Sequence, residues 1–206
     1  MTEAHLLIST AAIIAFAHTI LGPDHYLVFT AMGKARGWTL GRTLRVTTIC
    51  GVGHILSSVL IGVVGLLLGA QLANLVAIES FRGEIAGWAL FSFGLMYLAW
   101  GLRRAGQSHS SVKSMTPWAL FIIFVLGPCE ALIPLLMYPA AQQSAGLVFT
   151  VALVFGTITL LTMLLGVVAT TLGVNQLKLN WNGRYAHAVA GASIAICGGA
   201  ITFLGL

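Results

Sequence analysis

Two Gly-Pro pairs, Gly22-Pro23 and Gly127-Pro128, interrupt long apolar runs of this chain 105 positions apart. They sit in near-copies of one segment, Leu21-Gly22-Pro23-Asp24-His25 and Leu126-Gly127-Pro128-Cys129-Glu130. A proline removes one amide donor, and its ring collides with the carbonyl four residues earlier, that of Thr19 or Phe124. In lipid a freed carbonyl finds no water, and a buried ionisable side chain is costly. A chain that carries both features twice is expected to use them.

The surroundings of these breaks define the broad class. Apolar residues make up 58% of the 206 and charged residues only 7%, against about 25% charged in an ordinary soluble domain. The mean hydropathy is +0.98. A helical crossing of the hydrocarbon core takes about 20 apolar residues. Runs near 6–32, 46–70, 84–102, 117–140, 147–172 and 186–206 meet that length. The short alternating segments of a transmembrane barrel are missing. The fold expected is an all-α integral membrane protein of six transmembrane helices, with helices 1 and 4 broken at Gly-Pro. The first run carries His18, Asp24 and His25, so it is expected to be a retained span rather than a cleaved leader.

Lysine and arginine set the expected orientation. Lys34, Arg36, Arg42 and Arg45 follow the first run, Arg103, Arg104 and Lys113 the third, and Lys178 and Arg184 the fifth. The opposite loops hold Glu79 with Arg82, or no charge in 141–146. The positive-inside rule then places the basic loops in the cytoplasm and both termini on the outer face of a bacterial-type inner membrane. The net charge of +5 reports topology, and nucleic acid is not an expected partner. Cys50, Cys129 and Cys197 form no C-x-x-C pair, so no disulfide framework is expected.

The two halves resemble each other beyond the breaks. At an offset of 104, Gly62-Val63-Val64 falls on Gly166-Val167-Val168. At the same offset Gly87, Gly94, Gly101 and Leu102 fall on Gly191, Gly198, Gly205 and Leu206. Three spans per copy is odd, so the second copy enters from the other side, as the charge bias also requires. The organisation expected is a 3+3 inverted repeat: residues 1–102, a cytoplasmic linker 103–116, and residues 117–206. Inverted repeats meeting at broken helices are a recurrent transporter design.

The polar residues within these runs suit metal chemistry. His18, Asp24, His25, His54, Cys129 and Glu130 gather on spans one, two and four. Imidazole, thiolate and carboxylate together favour borderline divalent ions such as nickel, cobalt or zinc. In a straight helix His18 and His25 stand about 10 Å apart along the axis, too far to share an ion at about 2.0–2.1 Å per nitrogen. A break between them shortens that gap. Ser57 and Ser58 on span two, and Thr159 and Thr162 on span five, are the expected lining of a pathway.

The string His18-Thr19-Ile20-Leu21-Gly22-Pro23-Asp24-His25 resembles the H-P-x-x-G-x-D-H motif of HupE/UreJ proteins. More distantly it is similar to the H-x-x-x-x-D-H signature of NicO-type nickel/cobalt transporters. Both belong with the UreH-like, LysE, DsbD/CcdA and TauE membrane domains. The resemblance implies that His18, Asp24 and His25 bind the metal. Thr19 stands where the motif has proline, and the spacing is one residue longer than the NicO form. Gly127-Pro128-Cys129 is also similar to the breaks of CcdA proteins, but Asp24 occupies the place of their first cysteine.

The function expected is secondary transport of a divalent transition-metal cation by alternating access between the broken helices. The chain is not expected to be an enzyme or to hold a permanent cofactor; the metal is cargo. The bilayer and the ion are the expected partners, with protons as coupling ion, and a homo-oligomer is compatible with the composition. The alternatives are an intramembrane zinc-dependent hydrolase using His18, His25 and His54, a DsbD/CcdA-like thiol-reductant carrier, and a sulfur-anion transporter.

Overall fold

The computed structural model describes residues 3–69, 71–104, 116–127, 129, 131–142, 144–176 and 185–205. Pro128 and Glu130 lie outside the described residues, as does most of the expected linker. Within them the chain forms α1 (Glu3–Leu21), α2 (Asp24–Ala35), α3 (Leu40–Leu67), α4 (Leu72–Arg104), α5 (Thr116–Leu126), α6 (Leu132–Ala141), α7 (Ala145–Gln176) and α8 (Ala186–Leu204). No strand occurs among the described residues. Five helices, α1, α3, α4, α7 and α8, are long and apolar enough to cross a membrane. Large apolar side chains such as Leu21, Leu67, Phe149 and Ile196 face outward, as surfaces that meet acyl chains do.

Gly22-Pro23 follows the end of α1, and Gly127 follows the end of α5. Between α1 and α2, Gly22 N–H still reaches the His18 carbonyl at 3.0 Å, and His25 N–H turns back to Gly22 at 3.1 Å. Pro23 stands immediately before α2 with φ −65°, a position where its missing donor costs nothing. Between α5 and α6 the backbone leaves the helix after Leu126 and re-enters it at Leu132.

The tightest packing joins α4 to α8. A Cβ on Gly94 would lie 2.3 Å from the Ala195 nitrogen, and one on Gly198 would lie 2.3 Å from the Phe91 nitrogen. A Cβ on Gly191 would meet Leu98 at 2.2 Å, and one on Gly87 would meet Thr202 at 2.8 Å. Glycine is used here because it lets two backbones touch, which supplies the dispersion contact that holds helices together in lipid. α2 packs against α7 and α8, α1 against α7, and α3 against α5 and α7. One apolar cluster joins Val28, Phe29 and Met32 of α2 to Leu90, Met163 and Ile194. A second joins Ala11 and Ala15 of α1 to Cys129, Leu132, Val151 and Phe155.

One expected boundary needs correction. The third apolar run was expected to begin at 84, with Glu79 and Arg82 in an outer loop. α4 instead begins at Leu72, so both charges lie inside a helix and the Glu79 side chain is 0% exposed. A hydropathy run stops at charges, whereas a helix tolerates them when they pair three residues apart.

Candidate metal centre

Three histidines from three helices converge beside the first break. His18 closes the last turn of α1, His25 opens α2, and His54 lies midway along α3. The ring centroids of His18 and His25 are 5.0 Å apart and those of His25 and His54 5.4 Å. One nitrogen from each ring falls within 4.8 Å of the others. A tetrahedral ion at about 2.0–2.1 Å from each nitrogen needs them nearer than that limit.

Hydrogen bonds fix how two of these rings present themselves. His25 Nδ1 lies 3.1 Å from the Gly22 carbonyl and 3.2 Å from Asp24 Oδ1. His54 Nδ1 lies 3.2 Å from the Phe124 carbonyl. Carbonyl and carboxylate oxygens only accept, so Nδ1 carries the proton in both rings. That leaves Nε2 as the free ligand atom. The Nε2 atoms of His18, His25 and His54 are all buried without a hydrogen-bond partner. Buried polar atoms are nearly always bonded, and these three rings leave one nitrogen each without a partner among the described residues.

The glycine of each break makes room for one of these rings. A Cβ on Gly22 would lie 2.6 Å from His25 Nδ1, and one on Gly127 would lie 3.2 Å from His54 Nδ1. The cavity between them holds about 290 Å³. His18, Asp24, His25 and His54 line it, together with Gly83, Leu90, Phe124, Gly127 and Ile201.

Asp24, expected from the sequence to bind the metal, lines the same cavity beside His25 and is not one of the three grouped residues. Its carboxylate bonds His25 Nδ1, the outer contact that orients a ligating imidazole and raises its basicity. It also sits in the first turn of α2, where the helix dipole favours negative charge.

Glu130 lies outside the described residues, and the remaining expected site residues lie away from the three imidazoles. Cys129 is buried among Ala11, Ala15 and Leu132 and is not among the three grouped ligands. Ser57, Ser58, Thr159 and Thr162 do not line the cavity; its walls come from α1 to α5 and α8. Thr159 and Thr162 are buried on α7, which packs behind α1 and α2. The serines bond to Glu79 and Arg82, two residues that reading by apolar runs left out.

These two charges secure the second break. Glu79 accepts from the Cys129 amide at 2.9 Å and from Ser58 Oγ at 3.0 Å. Arg82 pairs with Glu79 and donates to the Val125 carbonyl at 2.7 Å and the Gly127 carbonyl at 3.4 Å. The carboxylate thus takes a donor before α6 and the guanidinium takes acceptors ending α5, satisfying groups that lipid cannot. The sequence signal was their spacing of opposite charges at i,i+3.

No protein-family model, curated protein or solved structure matches the chain.

Proposed function

We propose that the chain is a secondary transporter for a divalent transition-metal cation of the nickel, cobalt or zinc kind, bound by His18, His25 and His54. The observation that carries this reading is a cluster of three imidazoles with one nitrogen of each within 4.8 Å of the others, each ring having a buried, unpartnered Nε2. Imidazole nitrogens suit borderline ions better than alkali or alkaline-earth ions. Asp24 stands beside His25 in the cavity lining and offsets part of the cargo's charge. The ligands lose protons before they bind metal, so the proton gradient is the natural coupling force. The resemblance to HupE/UreJ and NicO-type proteins points the same way.

In this reading α1 with α2, and α5 with α6, are two broken crossings that bring the spans to six, arranged as a 3+3 inverted repeat. The crossing of α4 and α8 supports the repeat. Gly94 meets Ala195 while Gly198 meets Phe91, and Gly87 meets Thr202 while Gly191 meets Leu98. Every residue in these contacts is exchanged with its counterpart by the offset of 104. Any antiparallel pairing keeps such an exchange; what favours the repeat is that glycine stands at both members of each offset pair, Gly87 with Gly191 and Gly94 with Gly198. Basic loops on the cytoplasmic side and both termini outside follow from the charge bias.

Metal uptake into proteoliposomes tests the reading. Wild-type protein is expected to carry the ion, and His54→Ala and Asp24→Asn to slow it strongly. Equal fluxes in all three would rule the mechanism out. A second reading, an intramembrane zinc hydrolase, draws on the same cluster, because three imidazoles leave a fourth position for water. Bound zinc that never exchanges while lipid or peptide is turned over would favour it.

A further inference from the structure

Beside the histidine cavity lies a second site built on different principles. Its centre is the Arg82 guanidinium, and among the described residues every atom that receives a hydrogen bond from it is an oxygen. Nη1 donates to Glu79 Oε1 and to Ser58 Oγ at 3.4 Å. Nη2 donates to Ser57 Oγ at 2.8 Å, to the Val125 carbonyl at 2.7 Å and to the Gly127 carbonyl at 3.4 Å. The Glu79 side chain is fully buried and that of Arg82 is 12% exposed.

Three features describe a cation site rather than a mere tether. Carbonyls released at the C-terminal end of a half-helix are the groups with which broken-helix transporters hold small cations. An all-oxygen donor set prefers hard cations, in contrast to the imidazole cavity. Among the described residues one carboxylate, Glu79, faces the guanidinium, and its charge of −1 is balanced by a monovalent cation and not by a divalent one. A buried, unbalanced charge is heavily penalised.

We infer that Arg82 is a tethered monovalent cation filling an oxygen-lined station at the break between α5 and α6, a station that takes a free monovalent cation once the guanidinium is removed. The station adjoins the histidine cavity through shared backbone. His54 bonds the Phe124 carbonyl, Arg82 bonds the next one, and Ser57 donates to the His54 carbonyl at 2.8 Å. With Arg82 in place the wild-type chain needs no alkali ion here. The inference does not depend on the identity of the cargo held by the histidines.

The test is thermal melting of the full chain in detergent, as wild type, Arg82→Ala, Arg82→Lys and Glu79→Gln/Arg82→Ala. The probes are sodium, potassium and methylguanidinium chlorides, with choline chloride matching ionic strength. Arg82→Ala is expected to melt below wild type and to regain roughly 3–6 °C at ten times the half-saturating concentration of one of these cations. Choline is expected to give no such gain. Wild type, Arg82→Lys and the double variant are expected to show no cation-specific shift. The inference is overturned if Arg82→Ala gains no more from any probe than from choline, or if the double variant gains equally. Should Arg82→Ala not fold, Arg82→Gln replaces it in the same comparison. If Arg82→Lys also fails to fold, the inference is overturned as well, because an ammonium on a tether should fill the station.

Discussion

The rings of His18 and His25 approach to 5.0 Å between centroids, although seven residues of helix would hold them about 10 Å apart along the axis. The break after Leu21 supplies the difference. It lets α2 start on a new axis, so that its first turn folds His25 back over the end of α1. His54 then needs only to lie level with the break, and its bond to the Phe124 carbonyl holds it there.

Removing a ligand and disturbing its orientation should therefore differ in degree. Asp24→Asn keeps all three imidazoles and weakens the contact that aligns His25, so metal affinity should fall 10–100-fold. His25→Ala and His54→Ala remove a ligand and should cost more than that. Competition with a chromophoric chelator measures all three on one scale.

The glycine of the first break is a steric requirement. Gly22→Ala would place a methyl group 2.6 Å from His25 Nδ1, driving the ring off its position. Metal affinity should drop at least as far as in Asp24→Asn, at a stability cost of roughly 1–3 kcal/mol. Gly146→Ala, where a Cβ meets nothing within 4 Å, is the matched control and should leave both unchanged or slightly improved.

Cys129 gives the sharpest contrast between what sequence and fold imply. Beside Asp24-like and Glu-bearing repeats, a cysteine reads as a soft ligand. Its side chain instead packs with Ala11, Leu132 and Phe155, and its amide, not its sulfur, is engaged by Glu79. Cys129→Ala should hold metal within about twofold of wild type and lose only the stability of a small buried group, about 1 kcal/mol. Chelator competition and thermal melting read the two effects separately.

Protons and metal compete for the same nitrogens. A protonated imidazole cannot ligate, so affinity should rise with pH as the cluster loses protons and level off once all three rings are neutral. The limiting slope is tenfold per pH unit for each proton displaced. Metal binding measured as a function of pH, against the same series in His54→Ala, checks the sign and the number of protons displaced.

Much of this was legible because it depends on chemistry the chain cannot conceal. Gly-Pro inside an apolar run is visible as a break, and an Asp-His pair in such a run is visible as a polar site. The remainder depends on which helices pack together. Glu79 and Arg82 were read as loop residues because hydropathy runs end at charges, and nothing local shows that Ser57, Ser58 and two freed carbonyls await them. Ser57 and Ser58 were expected to line a pathway; their hydrogen-bond partners Glu79 and Arg82 lie on α4, and only the packing of α3 and α5 against α4 reveals it. Thr159 and Thr162 have the composition of a lining and the burial of a packing face.

The α4–α8 crossing makes its own prediction. Gly94→Ala and Gly198→Ala each push a methyl group to 2.3 Å from a backbone nitrogen of the opposite helix. Both should lower stability by similar amounts, roughly 1–3 kcal/mol. Parallel melting of the two variants tests whether the exchange-related contacts are also energetically equivalent.

X-ray absorption on protein loaded with zinc or nickel bears most directly on the claim that one ion sits among His18, His25 and His54. The account predicts about three imidazole nitrogens near 2.0–2.1 Å and no sulfur, with one imidazole lost in His54→Ala. Sulfur scattering near 2.3 Å, or an imidazole count unchanged by His54→Ala, would contradict it.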